Sequence, residues 1–154
     1  WGENTLFILV ADHGANLPCP YEMVLPYHKI PVYIFGAGTT PWIVSQPTSQ
    51  IDIWPTVLSM LGIDYNNNSL GIDVLHTQRP YAFFVSDDYL GVSDGESFWC
   101  YGIQTQREVL YRMGSGENIL AEEPERATEM RIFGMNMQRV NLMAIDNKWT
   151  EPCE

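Results

Sequence analysis

The sequence is poor in basic residues. Only 8 of its 154 residues are Lys or Arg, against 19 Asp or Glu, and the formal net charge is −11. Binding to the phosphate backbone of a nucleic acid requires clustered positive charge, and the chain has no basic run. We therefore expect no nucleic-acid partner, and direct binding to an anionic membrane surface is disfavoured for the same reason.

Long apolar runs are also lacking. No stretch approaches the length of a transmembrane helix, and no charged-then-apolar signal peptide opens the chain. The chain starts at Trp1 rather than at Met, which suggests an excised piece or a processed product. The missing targeting segments therefore say little about where a parent protein resides.

Cysteine is scarce as well, with Cys19, Cys100 and Cys153 widely spaced. An odd number at this spacing makes neither a metal-ligand pattern nor a complete disulfide framework. The pattern leaves open one disulfide with a free thiol left over, and it favours three unpaired or buried thiols.

Apolar residues are abundant. They make up 45% of the chain, and 12% of the residues are aromatic, which is enough for one core of ordinary domain size. Disorder is therefore disfavoured.

The first half of the chain reads as strand, loop, strand. The continuous apolar run Thr5–Ala11 is typical of a central parallel strand covered on both faces. Three prolines within residues 15–26 predict an irregular loop. Pro31 then opens a second strand over residues 32–35, which the Gly-Ala-Gly sequence at 36–38 closes.

A helix is predicted next. Asp52 suits its N-cap, Pro55 falls in the first turn, where a missing N–H costs little, and Gly62 provides a stop signal. Alternation of strands with a helix is typical of a parallel α/β sheet.

The second half predicts a different architecture. Three short aromatic runs, 81–85, 97–101 and 109–112, indicate a small antiparallel meander. The segment 124–146 has the apolar periodicity of a helix, with Ala127, Met130, Phe133, Met137, Val140 and Ala144 on one face. Its four methionines, Met130, Met135, Met137 and Met143, are expected to fill the core rather than form a docking surface.

Asp12 and His13 are the leading candidates for chemistry. They follow the first apolar run directly, and the carboxyl ends of strands in open α/β sheets are where ligands bind. A carboxylate oxygen and an imidazole nitrogen together suit a divalent metal ion. An isolated Asp-His pair could equally cap a local turn.

Three sequence blocks occur in order: Asp12-His13-Gly14, the run 27–35 (Tyr-His-Lys-Ile-Pro-Val-Tyr-Ile-Phe) and the run 49–63. Together they resemble the C-terminal part of the sulfatase domain of the alkaline phosphatase superfamily. The resemblance implies an α/β fold, namely the C-terminal portion of an alkaline phosphatase-like α/β/α sandwich with a small antiparallel meander and a C-terminal helix. Residues 1–75 would be the C-terminal part of the sulfatase core, and 76–154 the antiparallel strands and terminal helix of the same domain.

The resemblance also implies a metal site. In such domains the Asp and His of the Asp-His-Gly motif bind a divalent cation, and Mn, Ca, Zn and Mg all remain open. The Asp and His of the motif act with an upstream acidic residue and the nucleophile, and neither of these has a counterpart in this chain. We therefore expect Asp12 and His13 to form half of a metal site, and the chain alone to be inactive.

His28 is the candidate catalytic residue. Related sulfatases place a Lys or His in this stretch, where it contacts the sulfate or phosphate or protonates the leaving group. Imidazole suits proton transfer because its pKa lies near neutrality. Lys29 is the alternative, and the remaining interpretation is that His28 is a surface histidine.

The implied function is cleavage or transfer of a sulfate or phosphate ester, with a Thr, Ser or formylglycine nucleophile upstream. Within the superfamily the runs 27–28, 50–62 and 68–73 are most similar to bacterial lipoteichoic acid synthase-like proteins, which include phosphoglycerol transferases. A membrane-anchored, extracytoplasmic enzyme of the cell envelope would follow. The competing hypothesis is a non-catalytic sulfatase-like α/β binding module, against which the presence of both Asp12 and His13 argues.

Other polar residues are expected to be structural. Asp52 is explained by helix capping, and His76 is expected to face solvent. The acidic residues at 87–88 and 94–96 lack the ligand spacing of a calcium loop and are predicted to lie in solvated turns. Cys19 lacks the sequence context of the modified sulfatase cysteine and receives no catalytic role. Asn67-Asn68-Ser69 matches a glycosylation acceptor, which matters only in a eukaryotic secretory protein.

Overall fold

The computed structural model describes residues 2–36 and 38–149. Contacts divide the chain into two compact units, residues 1–45 and 46–154. The division between residues 75 and 76 came from the sequence resemblance, and it stays a prediction.

The first unit contains a two-stranded sheet. A 3-10 turn at Gly2–Asn4 precedes β1 (Leu6–Val10), a single helical turn α1 (Leu25–His28) follows, and β2 (Val32–Gly36) completes the sheet. The two strands pair antiparallel, with Leu6 opposite Gly36 and Val10 opposite Val32. The expected parallel arrangement is therefore wrong for this pair. The connection contains only one helical turn and no crossover helix, so the chain folds back beside β1.

Strand β1 is also less covered than a central strand. Phe7 and Leu9 point to the same face as their cross-strand partners Phe35 and Tyr33, and all four side chains are exposed. Leu9 is 57% exposed and Tyr33 is 62% exposed, whereas Phe7 and Phe35 stack with ring centroids 5.2 Å apart. The expectation of burial on both faces is therefore not met by the residues that the structure describes.

The second unit begins with a short 3-10 turn (Gln50–Asp52) and helix α2 (Ile53–Met60). The predicted N-cap and stop signal are confirmed: Asp52 occupies the N-cap, and Gly62 has a φ of +65° just beyond the helix. Ile63 N–H donates to the Leu58 carbonyl and Gly62 N–H to the Ser59 carbonyl. These two bonds form the glycine-dependent C-terminal motif that satisfies the last carbonyls of a helix.

The Asp52 side chain does more than capping predicts. It makes no capping hydrogen bond to α2. Instead its carboxylate accepts from Ser49 N–H, from Ile72 N–H and from the Arg79 guanidinium, the last at 2.5 Å. Asp52 is 2% exposed and Arg79 is 8% exposed, so this is a buried ion pair. It ties the segment after α2 back onto the start of the helix.

The antiparallel meander is confirmed and has four strands, β3 (Ala82–Ser86), β4 (Tyr89–Ser93), β5 (Ser97–Gly102) and β6 (Glu108–Arg112). Each strand pairs antiparallel with its sequence neighbour. Strand β4 was not predicted, because its central residue, Gly91, has low strand propensity. The two-residue turn before β4 is Asp87-Asp88, with Asp87 at a φ of +48°.

The predicted terminal helix is confirmed as α3 (Pro124–Asp146). Its Ala127 and Met130 pack on the sheet and share a core with the following residues: Leu90, Val92, Trp99, Leu110 and Ile119. Gly134 lies so close to the sheet that a Cβ would stand 2.8 Å from the Val92 side chain. Among the described residues, no helix has the length and apolar character needed to cross a membrane.

The C-terminal half of α3 departs from the predicted core face. Val140 and Met143 are exposed, and Met137 is only half-buried. Core filling by the methionines therefore holds for Met130 and fails for Met143. An apolar groove of about 530 Å³ lies along this part of the helix, lined by Leu70, Tyr81, Glu129, Ile132, Phe133, Asn136, Met137 and Val140.

Arg126 joins the beginning of α3 to the turn between β4 and β5. Its guanidinium pairs with Asp94, Glu96 and Glu123. Burial by itself lowers the pKa of Arg126, but the hydrogen bonds that its guanidinium donates to these three carboxylates outweigh burial and hold that pKa above its ordinary value. The turn at 94–96 is therefore an anchoring point for the helix as well as a surface turn.

Candidate functional site

The antiparallel pairing of β1 and β2 brings the candidate residues to one end of the sheet. Because Val10 pairs with Val32, the end of β1 lies beside the start of β2. Asp12 and His13 follow β1, and His28 ends α1 shortly before β2. A parallel pair would have placed the two segments at opposite ends of the strands.

Gly14 makes this close approach feasible. Its N–H donates to the Tyr27 carbonyl at 2.7 Å. A Cβ at this position would lie 2.2 Å from the Pro26 carbonyl oxygen and 3.0 Å from that of Lys29. Only glycine allows the chain to run so close to α1. Packing against α1 therefore explains why the third residue of the Asp-His-Gly motif is a glycine.

Asp12 and His13 are held by short-range contacts. The Asp12 carboxylate accepts from His13 N–H at 2.9 Å, and its second oxygen, Oδ2, lies 3.6 Å from His13 Nε2. The other ring nitrogen, Nδ1, lies 2.9 Å from the Gly14 carbonyl oxygen. The Asp12 side chain is 88% exposed and that of His13 is 48% exposed, so both can be reached from solvent.

Tyr27 connects the two halves of the candidate site. Its ring stacks on His13 with centroids 4.5 Å apart and an angle of 11° between the planes. The His28 ring meets the same tyrosine edge-on at 5.5 Å. The structure therefore brings Asp12, His13 and His28 into one cluster through Tyr27. Lys29, the alternative to His28, is exposed in the same segment.

The donor set fits part of a divalent metal site. Two atoms that each lie about 2.1 Å from a tetrahedral ion are about 3.4 Å apart, close to the 3.6 Å between Asp12 Oδ2 and His13 Nε2. No group of three or more His, Cys, Asp or Glu side chains suited to a metal occurs in residues 2–36 and 38–149. The described part of the chain thus offers two neighbouring donors and lacks a complete metal shell.

Of the residues expected to be structural, His76 and Asn67 lie far from this cluster in sequence, whereas Cys19 lies in the loop that connects its two halves. His76 is exposed, as predicted, and its Nδ1 lies 2.6 Å from Asp73 Oδ2. Cys19 and Cys100 are present as thiols rather than in a disulfide, which agrees with the favoured interpretation for these two, and Cys153 lies outside the described residues. In the glycosylation-type sequence, Asn67 bonds the Gly71 carbonyl through its side-chain nitrogen.

Sequence reasoning missed the contribution of Tyr27 and the packing reason for Gly14. A signal was present, because an aromatic residue directly precedes His28 and a glycine directly follows His13. The pairing of these segments depends on the path of residues 15–26, which carries no periodic pattern. The two contacts therefore became visible only in three dimensions.

Comparison with solved structures defines the class of fold. The chain has an alkaline phosphatase-like fold, a mixed α/β architecture with antiparallel sheets and a C-terminal helix, and it spans less than two fifths of the length of the proteins it resembles. No protein-family profile matches the sequence.

Two solved structures illustrate the similarity. A protein of the alkaline phosphatase superfamily from Vibrio parahaemolyticus matches 99% of this chain with a TM-score of 0.67 and 23% identity, and the match covers 38% of that protein. A phosphonate monoester hydrolase from Silicibacter pomeroyi matches 92% of this chain with a TM-score of 0.62 and 20% identity, and 35% of it is covered.

Proposed function

We propose that this chain is part of a metal-dependent enzyme that cleaves or transfers a phosphate or sulfate ester. The observation that carries the proposal is the pair of donor atoms, Asp12 Oδ2 and His13 Nε2, exposed 3.6 Å apart directly after β1. The alkaline phosphatase-like fold supports the same reaction class, since one of its solved examples is a phosphonate monoester hydrolase.

Each residue of the cluster has a distinct role in this proposal. Asp12 and His13 hold a divalent cation, which when bound would neutralise charge on the transferring group. His28 contacts a non-bridging oxygen or donates a proton to the leaving group, a task suited to imidazole near neutral pH. Further ligands and a hydroxyl nucleophile come from a part of the parent protein that precedes this chain. The nucleophile would attack the phosphorus or sulfur atom and later release the group to water or to an acceptor alcohol.

Finer features of the proposal rest on the sequence blocks. The runs 27–28, 50–62 and 68–73 support a lipoteichoic acid synthase-like enzyme, with a membrane-anchored parent in the cell envelope. The exposed face of the β1–β2 sheet supports a covering partner, which we propose to be the N-terminal part of the same domain.

The test is the substitution Asp12→Asn within the complete open reading frame that encodes this chain. We expect hydrolysis of a panel of p-nitrophenyl phosphate, sulfate and phosphonate esters to fall roughly a thousandfold, because a lost ligand removes several kcal/mol of charge stabilisation. The matched control is His76→Gln, which changes a histidine that already pairs with a local carboxylate.

Turnover of every ester at the wild-type rate by Asp12→Asn would overturn the metal-ligand assignment. A full-length protein that hydrolyses none of the esters and transfers no phosphoglycerol group, yet folds normally, would instead favour the non-catalytic binding module.

A further inference from the structure

We propose that Tyr27 is a positioning residue that holds the His13 imidazole in one tautomer, with Nδ1 donating to the Gly14 carbonyl and the Nε2 lone pair placed so that one cation could contact both Nε2 and Asp12 Oδ2. This inference rests on the proposed function, because it identifies what prepares His13 to bind a metal ion. The evidence is the combination of a stacked ring, a carbonyl at one ring nitrogen and a carboxylate near the other.

The tautomer follows from the partner of Nδ1. That nitrogen lies 2.9 Å from the Gly14 carbonyl oxygen, which can only accept a hydrogen bond. Nδ1 must therefore carry the proton, and in the neutral imidazole Nε2 is left with its lone pair. Nε2 is the nitrogen that lies 3.6 Å from Asp12 Oδ2. Fixing the tautomer by a bond to the second nitrogen is how proteins commonly orient a metal-binding histidine.

The orientation of the ring follows from Tyr27. The bond to Gly14 alone does not hold a half-exposed imidazole, because the side chain can rotate away into water. Tyr27 covers one face of the ring at 4.5 Å and nearly parallel. The stack removes rotational freedom before any ligand arrives, which lowers the entropy cost of binding.

Tyr27 is itself fixed by its backbone. Its carbonyl accepts from Gly14 N–H at 2.7 Å, and its own N–H donates to the Val24 carbonyl at 3.0 Å. Neither bond involves the side chain. A substitution at position 27 therefore changes the stack and retains the bonds that place the segment beside Gly14, so the role of the ring can be tested separately.

The experiment uses the chain of residues 1–154 labelled with ¹⁵N-histidine, measured without metal at a pH well above the titration of imidazole. It contains only three histidines, His13, His28 and His76, so the spectrum is simple to assign by single His→Gln variants. We expect His13 to show a protonated Nδ1 and an unprotonated Nε2. A protonated Nε2 in the wild-type chain would overturn the proposal without any variant.

Two variants isolate the stack. In Tyr27→Leu we expect the His13 nitrogen shifts to move towards the averaged values of exchanging tautomers, whereas Tyr27→Phe retains a ring and keeps the wild-type shifts. The His76 signals are the internal control, because Asp73 holds that imidazole elsewhere in the chain. Unchanged His13 shifts in Tyr27→Leu, or equal changes in Tyr27→Phe, would show that the stack does not position the ring.

A Zn²⁺ titration then separates this proposal from the proposed function. We expect Zn²⁺ to shift His13 Nε2 selectively and to bind about tenfold more weakly to Tyr27→Leu than to Tyr27→Phe, as found when outer-shell partners are removed. If the tautomer is fixed but Zn²⁺ leaves His13 unperturbed, the metal assignment fails and the positioning role stands. If Zn²⁺ binds Tyr27→Leu and wild type equally, the positioning role fails and the metal assignment stands.

Discussion

Asp52 and Arg79 form a buried ion pair, and the loss of either residue leaves the charge of the other buried without its partner. Arg79 also donates to the carbonyls of Leu70 and Tyr81, so its guanidinium binds three separate acceptors. Because both charged groups are withdrawn from water, each relies on the other and on the surrounding hydrogen bonds for compensation.

We predict that Arg79→Ala lowers the free energy of unfolding by about 3–5 kcal/mol, since it leaves the Asp52 carboxylate buried without its counter-charge. Urea-induced unfolding followed by circular dichroism measures the effect. Arg139→Ala, at an exposed position of α3, is the matched control and should change stability by no more than about 0.5 kcal/mol. A loss below 1 kcal/mol for Arg79→Ala would contradict the prediction.

The contribution of Asp73 to the free energy of unfolding depends on pH in the acid range. Burial by itself raises the pKa of this carboxyl, but hydrogen bonds from Ser59, His76 and the Leu75 N–H, together with the His76 charge, lower it below its ordinary value of 3.8. The folded protein therefore binds this proton less readily than the unfolded chain, and the stabilisation is fully present above the unfolded pKa.

We predict that the stability advantage of wild type over Asp73→Asn is fully present at about pH 5 and shrinks as the pH falls below 3.8. Urea titrations at a series of pH values measure the difference between the two proteins. Asp64→Asn, at an exposed position, is the control. An advantage that grows as the pH falls below 3.8 would show that the sign is wrong.

At the scale of elements, the contact of α3 with the meander depends on a small residue. Gly134 lies inside the helix, where alanine would be the better helix former by about 1 kcal/mol. A Cβ there would stand 2.8 Å from Val92 and 3.1 Å from the Trp99 ring, and both of these side chains are fully buried. Neither neighbour has space to give way.

We predict that Gly134→Ala destabilises the chain by about 1–3 kcal/mol, because overpacking outweighs the gain in helix propensity. Thermal and urea unfolding measure the change. Asn141→Ala, at an exposed position of the same helix, gains propensity without a steric contact and should stabilise slightly. Stabilisation by both substitutions would show that the helix can move away from the sheet.

The elements also show what the sequence could and could not predict. Helix α3 was predicted with its observed bounds because the apolar periodicity extends over 23 residues. The direction of β2 was missed, because it depends on how residues 11–31 fold back, which is a non-local property. Asp12 and His13 were identified from their place after a strand, whereas the orientation of the Tyr27 ring depends on the packing of an aperiodic loop.

At the scale of the whole molecule, one face of the β1–β2 sheet exposes a cluster of large apolar side chains to solvent. It presents Phe7, Leu9, Tyr33 and Phe35 together on a sheet of only two strands. Exposed apolar strands pair readily with other chains. The net charge of −11 opposes association but does not cover the apolar side chains.

We predict that the chain self-associates with increasing concentration and that Tyr33→Lys weakens this association. Multi-angle light scattering over a range of concentrations measures the mass. Asn141→Lys adds the same charge at an exposed polar position and should leave the association unchanged. A wild-type chain that stays monomeric throughout would contradict the prediction.

The neighbour-to-neighbour order of the meander has a consequence for folding kinetics. Its strands are joined by turns of two, three and five residues, at 87–88, 94–96 and 103–107, so forming each pairing closes only a short loop. Sheets made of local pairings have low contact order and fold faster than sheets assembled from distant strands. The meander should therefore form early, before the long connection 11–31 brings β2 back to β1, and on a ribosome it can do so soon after β6 emerges.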